Sequence, residues 1–254
     1  MTNGLFKYFS TDADKLERFT SGQIYLTPPK FLNDPWEFRL RIELPTEEEL
    51  RKDPHLNIGD IPEILRRASS PDWLEEEAAE QREYLSRISG VVCLTENPLD
   101  RLMWAHYGES HKGFVAEFQH SDQGTSEFGF RQCETPFEAA EKVVYRPKNP
   151  ELKWNRSNME EVLLTKHLCW VYEDEWRVIR LLNTGDPHPT KNGFVLVWFK
   201  PTDLFRVILG LQASQEVKFQ LRQMLNHSEF DHVRKEEIYI DPESRELKVR
   251  PLSW

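Results

Sequence analysis

The spacing of apolar and polar positions divides the chain into many short elements. Residues 5–9 (LFKYF) read as a strand. A helix begins near Thr11, capped by Thr11 or Asp12, with Leu16 and Phe19 on its apolar face. Gly22 is a natural stop for that helix. Residues 23–27 (QIYLT) read as a second strand, closed by Pro28-Pro29. Asn33-Asp34-Pro35 then carries strong turn chemistry, because Asx side chains bond their own backbone and proline fixes the residue that follows.

The pattern changes over residues 43–88. Acids and arginines dominate there, prolines recur at 45, 54, 62 and 71, and residues 72–88 have helical spacing throughout. This predicts a helical insertion with one long amphipathic element whose charges form a solvated face. The apolar run at 89–95 predicts a buried strand. Pro98 suits the first turn of a short helix ending at Gly108, which puts His106 and Tyr107 in its last turn. Residues 112–118 resume as a strand with Phe114, Ala116 and Phe118 on one face.

Further along, residues 121–131 read as a polar loop and 143–145 as a short strand. Residues 157–168 read as a helix burying Met159, Val162 and Leu163, followed by a strand at 176–182 and a loop at 183–192. Residues 194–199 are almost continuously apolar, which predicts a central strand, and 204–209 predict another, ended by Gly210. An amphipathic helix at 214–225 precedes a hairpin of 237–240 and 246–250 around a turn at 241–244. The sum is one α+β domain spanning residues 1–254, with a mixed, mainly antiparallel sheet and a helical acidic insertion at 43–88.

Composition narrows the function classes. At 254 residues the chain has ample material for a core. Its 43 acidic and 33 basic residues give a net charge of −10, which excludes retention on nucleic acid by bulk electrostatics. A local basic groove stays open, since the acids concentrate at 43–83. The eight tryptophans either fill the core or offer faces for a flat ligand. Cys93, Cys133 and Cys169 lie far apart without metal-ligand spacing, which argues against zinc and against a disulfide framework. Cys93 and Cys169 fall in apolar runs and read as inert core thiols. The start MTNGLFKYFS does not read as a signal peptide, and no apolar run approaches membrane-spanning length. A cytoplasmic protein with no membrane partner is expected.

Candidate chemistry lies where polar groups are embedded in apolar sequence: residues 102–118 (LMWAHYGESHKGFVAEF) and 170–182 (WVYEDEWRVIRLL). If the second stretch is extended, period two puts Glu173, Glu175 and Arg177 on one face and Trp170, Tyr172 and Trp176 on the other. Two acids beside an arginine can orient hydroxyls and stabilise a developing cation, as in glycosyl transfer; the same spacing also suits a structural ion pair. In the first stretch, His106, Tyr107, His111 and Lys112 converge around two glycines, a turn able to hold a phosphate or ribose. The helix macrodipole by itself also accounts for a histidine in a last turn. A third candidate is Asn33-Asp34-Pro35-Trp36-Glu37, a stiff turn with room for ligand contact. There is no HExxH, Walker loop, GxGxxG after a strand, GxSxG elbow or kinase signature.

The blocks LFKYFS, GQIYLTPPKFLNDPWEF, VVCLTENPLDRLMWAHYGESHKGFVAEF and WVYEDEWRVIRL together resemble a widespread bacterial domain-of-unknown-function family. Its marks are an N-terminal K-Y, an F-N-D-P-x-E turn, a W-x-H-Y-x-x-x-H-x-G-F block and a Y-E-x-E-W-R block. More distantly, the layout is similar to ADP-ribosyltransferase-like proteins. That likeness implies an enzyme cleaving the nicotinamide–ribose bond of NAD, acting in toxin or phage-defence conflicts on a protein or nucleic-acid acceptor. By it, Lys7-Tyr8 would occupy the first motif, with lysine where histidine or arginine is usual, Tyr25 the second, and Glu175 or Glu173 the third. Tyr8, Tyr25 and Trp104 would shape the nicotinamide pocket. His106, Lys112 and Arg177 would contact phosphate, with His106 also a catalytic candidate; Asn33, Asp34, Tyr107 and His111 would complete the nucleotide contacts. Two other classes fit the same residues. One is a non-enzymatic nucleotide-binding or protein-interaction module whose acidic insertion docks a basic partner. The other is a nuclease or phosphotransferase using His106 and His111.

Overall fold

β1 (Asn3–Phe9) opens the computed structural model, which describes residues 3–38, 41–43, 46–120, 136–148, 150–153, 159–182 and 194–252. The Asp12 carboxylate accepts the Lys15 N–H and so caps α1 (Ala13–Thr20), and Gly22, at φ 75°, turns the chain into β2 (Gln23–Leu26). The order continues as β3 (Arg41–Glu43), α2 (Glu47–Lys52), α3 (Ile61–Ala68), α4 (Pro71–Ile88), β4 (Ser89–Thr95), α5 (Arg101–His106) and β5 (Phe114–His120). Then come β6 (Ala140–Lys142), β7 (Val144–Arg146), β8 (Glu151–Lys153), α6 (Met159–Leu163), β9 (Thr165–His167) and β10 (Glu175–Leu181). The chain closes with β11 (Val195–Trp198), β12 (Leu204–Leu209), α7 (Gln215–Leu225), β13 (Arg234–Ile240) and β14 (Leu247–Pro251).

Eight strands form one sheet in the order β14-β13-β12-β5-β1-β4-β10-β6, antiparallel throughout except for the β12–β13 pair. The expected α+β class with a mainly antiparallel sheet is therefore observed. Period two sorts the side chains of this sheet. Leu5, Phe9, Val92, Leu94, Phe114 and Phe118 pack against Leu16 and Phe19 of α1 and Val217 and Leu221 of α7. On the opposite face Phe6, Tyr8, Val115 and Ile208 pack with Met103 and Trp104 of α5.

One break in the sheet matters for everything that follows. β1 pairs with β5 over all seven residues, but with β4 only at Phe6↔Thr95. β1 and β4 therefore diverge beyond that point, and β2 approaches β4 through the Thr27↔Val91 bridge. A cavity occupies the opening.

Several elements depart from what the spacing predicts. Residues 194–199 do not form a central strand: β11 pairs only with β2, in a separate two-stranded sheet, and Trp198 is 63% exposed. The apolar run reflects burial of Val197 and Phe199 against the α1 side of the core, which periodicity cannot distinguish from a place within a sheet. The helix expected at 157–168 is confined to α6. Thr165–His167 is instead β9, parallel to β7, because Lys166 is drawn into a buried charge cluster, and a 3-10 turn follows at Leu168–Glu173. Cys169 is exposed rather than core, and Cys93 is half-buried. Cys133 and the loops expected at 121–131 and 183–192 lie outside the described residues. Among the described residues, no helix is long and apolar enough to cross a membrane.

The insertion is helical as expected, starting with a capping box between Thr46 and Glu49. It is more than a solvated face. Leu85 of α4 is buried with Phe38, Val162 and Leu163, and Arg82 donates to the carbonyls of Pro29, Asp34 and Pro35. Through these bonds α4 clamps the 29–38 segment against the rest of the domain.

The turn from α5 to β5 is tight enough to require glycine. Glu109, Ser110 and His111 are left-handed, with φ of 48°, 53° and 67°, and a Cβ on Gly113 would stand 1.8 Å from the Phe9 carbonyl oxygen. Gly113→Ala is expected to destabilise the fold by about 3 kcal/mol or more. Gly59→Ala, which meets nothing within 4 Å, should change little. Urea denaturation of the two variants measures the difference.

Candidate active site

The cavity in the split has a volume of about 340 Å³. β1 contributes Lys7 and Phe9; α1 contributes Lys15 and Arg18; β2 contributes Tyr25. Phe31, Asn33 and Glu37 come from the segment that α4 clamps, and Cys93 and Thr95 from β4. His106 ends α5 and Tyr107 follows it, and Lys166, Glu173 and Glu175 come from β9, the 3-10 turn after it and the start of β10.

Five charged side chains are buried beneath this opening. Lys166 Nζ lies 2.5 Å from Glu173, 2.9 Å from Glu175 and 3.1 Å from Glu37. Arg177 is fully buried and donates to both Glu175 oxygens at 2.9 and 3.0 Å, to Glu37 at 2.9 Å and to the Leu163 carbonyl at 2.7 Å. Glu175 and Arg177 share a face of β10, as period two requires. Glu173 reaches the same cluster differently: it ends the 3-10 turn, and Asp174 follows in the left-handed region at φ 41°. A second chain of bonds runs toward the surface. Asn33 Nδ2 donates to the Tyr107 hydroxyl at 2.7 Å, which donates to Glu173 at 2.6 Å.

The two cations do not serve the three acids equally. Burial alone would raise the Glu175 carboxyl, but Arg177 and Lys166 outweigh it and hold the group down at about 2. Burial raises Glu173 and Glu37, and the cations only partly offset this. Burial works against the Lys166 ammonium too, yet Glu175, Glu37 and Glu173 together drive its pKa above the usual lysine value. The cluster thus holds one carboxylate that ionises at unusually low pH and two that retain protons to higher pH than usual.

Of the residues singled out from sequence, Lys7, Tyr8, Tyr25, Asn33, His106, Tyr107, Glu173 and Glu175 line the cavity. Tyr8 does so with its hydroxyl already given to the Asn97 carbonyl. The rest serve the frame. Trp104 is 0% exposed, donates its indole N–H to the Pro98 carbonyl and packs edge-on to Tyr8, so no ligand can stack on it. His111 stacks on Trp104, and Lys112 is exposed without lining the cavity. Asp34 is buried, accepting from the Trp36 N–H and the Trp170 indole, which pins the turn to the 3-10 segment. Arg177 is saturated by internal partners and cannot meet a phosphate. Glu37, named only within the Asn33–Glu37 turn, lines the cavity as well, as do Lys166, Lys15 and Arg18, which the sequence reading did not assign to a site. The alternation around Thr165-Lys166-His167 and the i, i+3 spacing of Lys15 and Arg18 were the only signals for three of them.

Residues 103–178 match the model of a family described as a protein of unknown function (DUF2971). The matched stretch begins within α5 and ends within β10, so it carries His106, Tyr107, Lys166, Glu173 and Glu175. No curated protein and no solved structure matches the chain.

The pKa directions give opposite signs with pH. Glu175 ionises at lower pH folded than unfolded, so its contribution to stability is complete above pH ~4.5 and is lost as pH falls toward about 2. Glu37 and Glu173, raised in the fold, bind protons more tightly when folded, so their share of stability declines as pH rises through their folded values. Glu175→Gln at pH 7 is accordingly expected to cost about 3–5 kcal/mol, the range for breaking a buried ion pair. Glu173→Gln should cost less, because burial already favours its neutral form. Equal losses in urea denaturation would contradict this division of charge.

Proposed function

We propose that the cavity binds NAD and that the chain cleaves its nicotinamide–ribose bond, as an ADP-ribosyltransferase-like enzyme. The observation that carries this reading is the convergence of Lys7, Tyr25 and the Glu173–Glu175 segment on one cavity that contains a carboxylate held ionised. A cavity of about 340 Å³ is within the range of small-molecule sites. Tyr25 and Phe31 offer ring faces at its wall, and Lys15 and Arg18 offer positive charge for a diphosphate.

In this reading, Tyr107 and Glu173 contact the ribose hydroxyls, and the Asn33–Tyr107–Glu173 bonds orient them. Glu175 is only 2% exposed, so it acts mainly through its fixed charge, which stabilises the oxocarbenium-like state. Nicotinamide departs with the bonding electron pair as a neutral base. Water or an acceptor nucleophile then attacks the ribose carbon and loses a proton, for which Glu173 is the nearest base to Tyr107. Such a reaction suits a toxin or phage-defence effector. The commitment of all three carboxylates to internal partners favours a second reading, a nucleotide-binding module without chemistry. His106 lines the cavity and His111 does not, so the two do not form a nuclease pair.

Nicotinamide release from NAD by the purified chain is the direct measurement. Wild type should release it. Tyr107→Phe should lower kcat by about 10²-fold, the scale of a lost proton-transfer contact, with stability nearly intact. Lys15→Ala combined with Arg18→Ala should raise KM with little change in kcat, as expected for contacts shared by ground and transition states. Binding of NAD without release would support the module instead, and a folded wild type that neither binds nor cleaves NAD would overturn both.

A further inference from the structure

Lys7 is a half-buried cation of the cavity that lacks a counter-ion. Lys166 is bonded to three carboxylates, and Arg18 lies 3.4 Å from Asp14. Lys7 has no carboxylate within 4 Å among the described residues. Its Nζ makes one long bond, 3.3 Å, across the split to the Cys93 carbonyl, and stands 5.7 Å from the centre of the Phe9 ring. Its position follows from the fold: β1 faces a stretch of β4 with which it does not pair.

An ammonium partly withdrawn from water without an opposing charge is costly, and the group relieves that cost by giving up its proton. Burial is the largest influence on Lys7 and lowers its pKa; Cys93 and Glu175 pull the other way, and the Lys15 charge acts with burial. A desolvated lysine beside a second cation is the arrangement that activates an amine as a nucleophile toward carbonyl carbon.

We infer that Lys7 captures an aldehyde or ketone as an imine, and that the carbonyl compound carries a phosphate group received by Lys15 and Arg18. The amine lone pair attacks the carbonyl carbon, and the carbonyl π pair becomes an alkoxide that takes up a proton. The resulting carbinolamine loses that hydroxyl, with a further proton, as water. An amine and a carbonyl thus give an imine and one water, with no oxidant or reductant required. An open-chain sugar phosphate meets both requirements. The inference does not depend on NAD cleavage, because it uses only the amine, the two cations and the cavity between them.

The test is reductive trapping on the full chain at pH 7, with ribose 5-phosphate as probe and sodium cyanoborohydride to reduce the imine to a stable secondary amine. Peptide mapping by mass spectrometry then gives the labelling rate at each lysine. Lys7 should be labelled at least about tenfold faster than exposed Lys112, which lies outside the cavity. Ribose without phosphate should label Lys7 more slowly, and Lys15→Ala with Arg18→Ala should remove that preference. Labelling of Lys7 no faster than Lys112 would overturn the inference, and equal rates with ribose and its phosphate would overturn the anion requirement. Nicotinamide release is a separate readout, so failure of either proposal leaves the other measurable.

Discussion

One ammonium, Lys166 Nζ, lies within 3.1 Å of three carboxylates that come from three different elements. Glu37 belongs to the turn after β2, Glu173 to a 3-10 segment and Glu175 to the sheet. Arg177 bonds two of the three and adds the Leu163 carbonyl. Without these cations three acids would be buried together, which no domain of this size tolerates. With them, the turn, β10 and the segment before it are held in one relative arrangement. Such a cluster is weak evidence for stability, since desolvation offsets most of the attraction. Its effect here is geometric: it fixes where the walls of the cavity stand.

The charge balance of the cluster also sets its chemistry. Three carboxylates against Lys166 and Arg177 leave one negative charge in excess, and it is not shared evenly. Glu175, gripped by both cations, has its pKa lowered, while burial raises those of Glu173 and Glu37. Glu173 is the member with an outward path, through Tyr107 to exposed Asn33. A strongly held carboxylate beside one whose pKa is raised and which has a path outward is an arrangement suited to a site.

The opening itself arises from the sheet. β1 stays in register with β5 while leaving β4 after one pair, and Lys7 spans the gap with a single bond to a β4 carbonyl. The insertion contributes by holding the far wall. Arg82 on α4 satisfies three carbonyls of the segment that carries Phe31, Asn33 and Glu37, and so holds these residues at the cavity wall. The acidic face of α4 and the buried acids are therefore parts of one construction, joined through the turn at Asp34.

Local order was legible in the sequence wherever it has a local cause. The Asp12 cap, the Gly22 stop, the strand pattern of 5–9 and 89–95, the Asn33–Pro35 turn and the helix at 214–225 each depend on neighbours a few residues apart. The pairing of Glu175 with Arg177 followed from period two alone. What the tertiary structure decided is which polar residues meet. Trp104 and Glu175 sit in equally apolar stretches, yet one became core and the other part of the cavity, because that depends on which element packs opposite. The run at 194–199 shows the same limit: burial is encoded in composition, but the partner strand is not. Lys166 was hidden for a related reason. Its backbone becomes extended only because three carboxylates, 7, 9 and 129 positions away, draw its ammonium inward, and spacing along a chain carries no record of contacts at such separations.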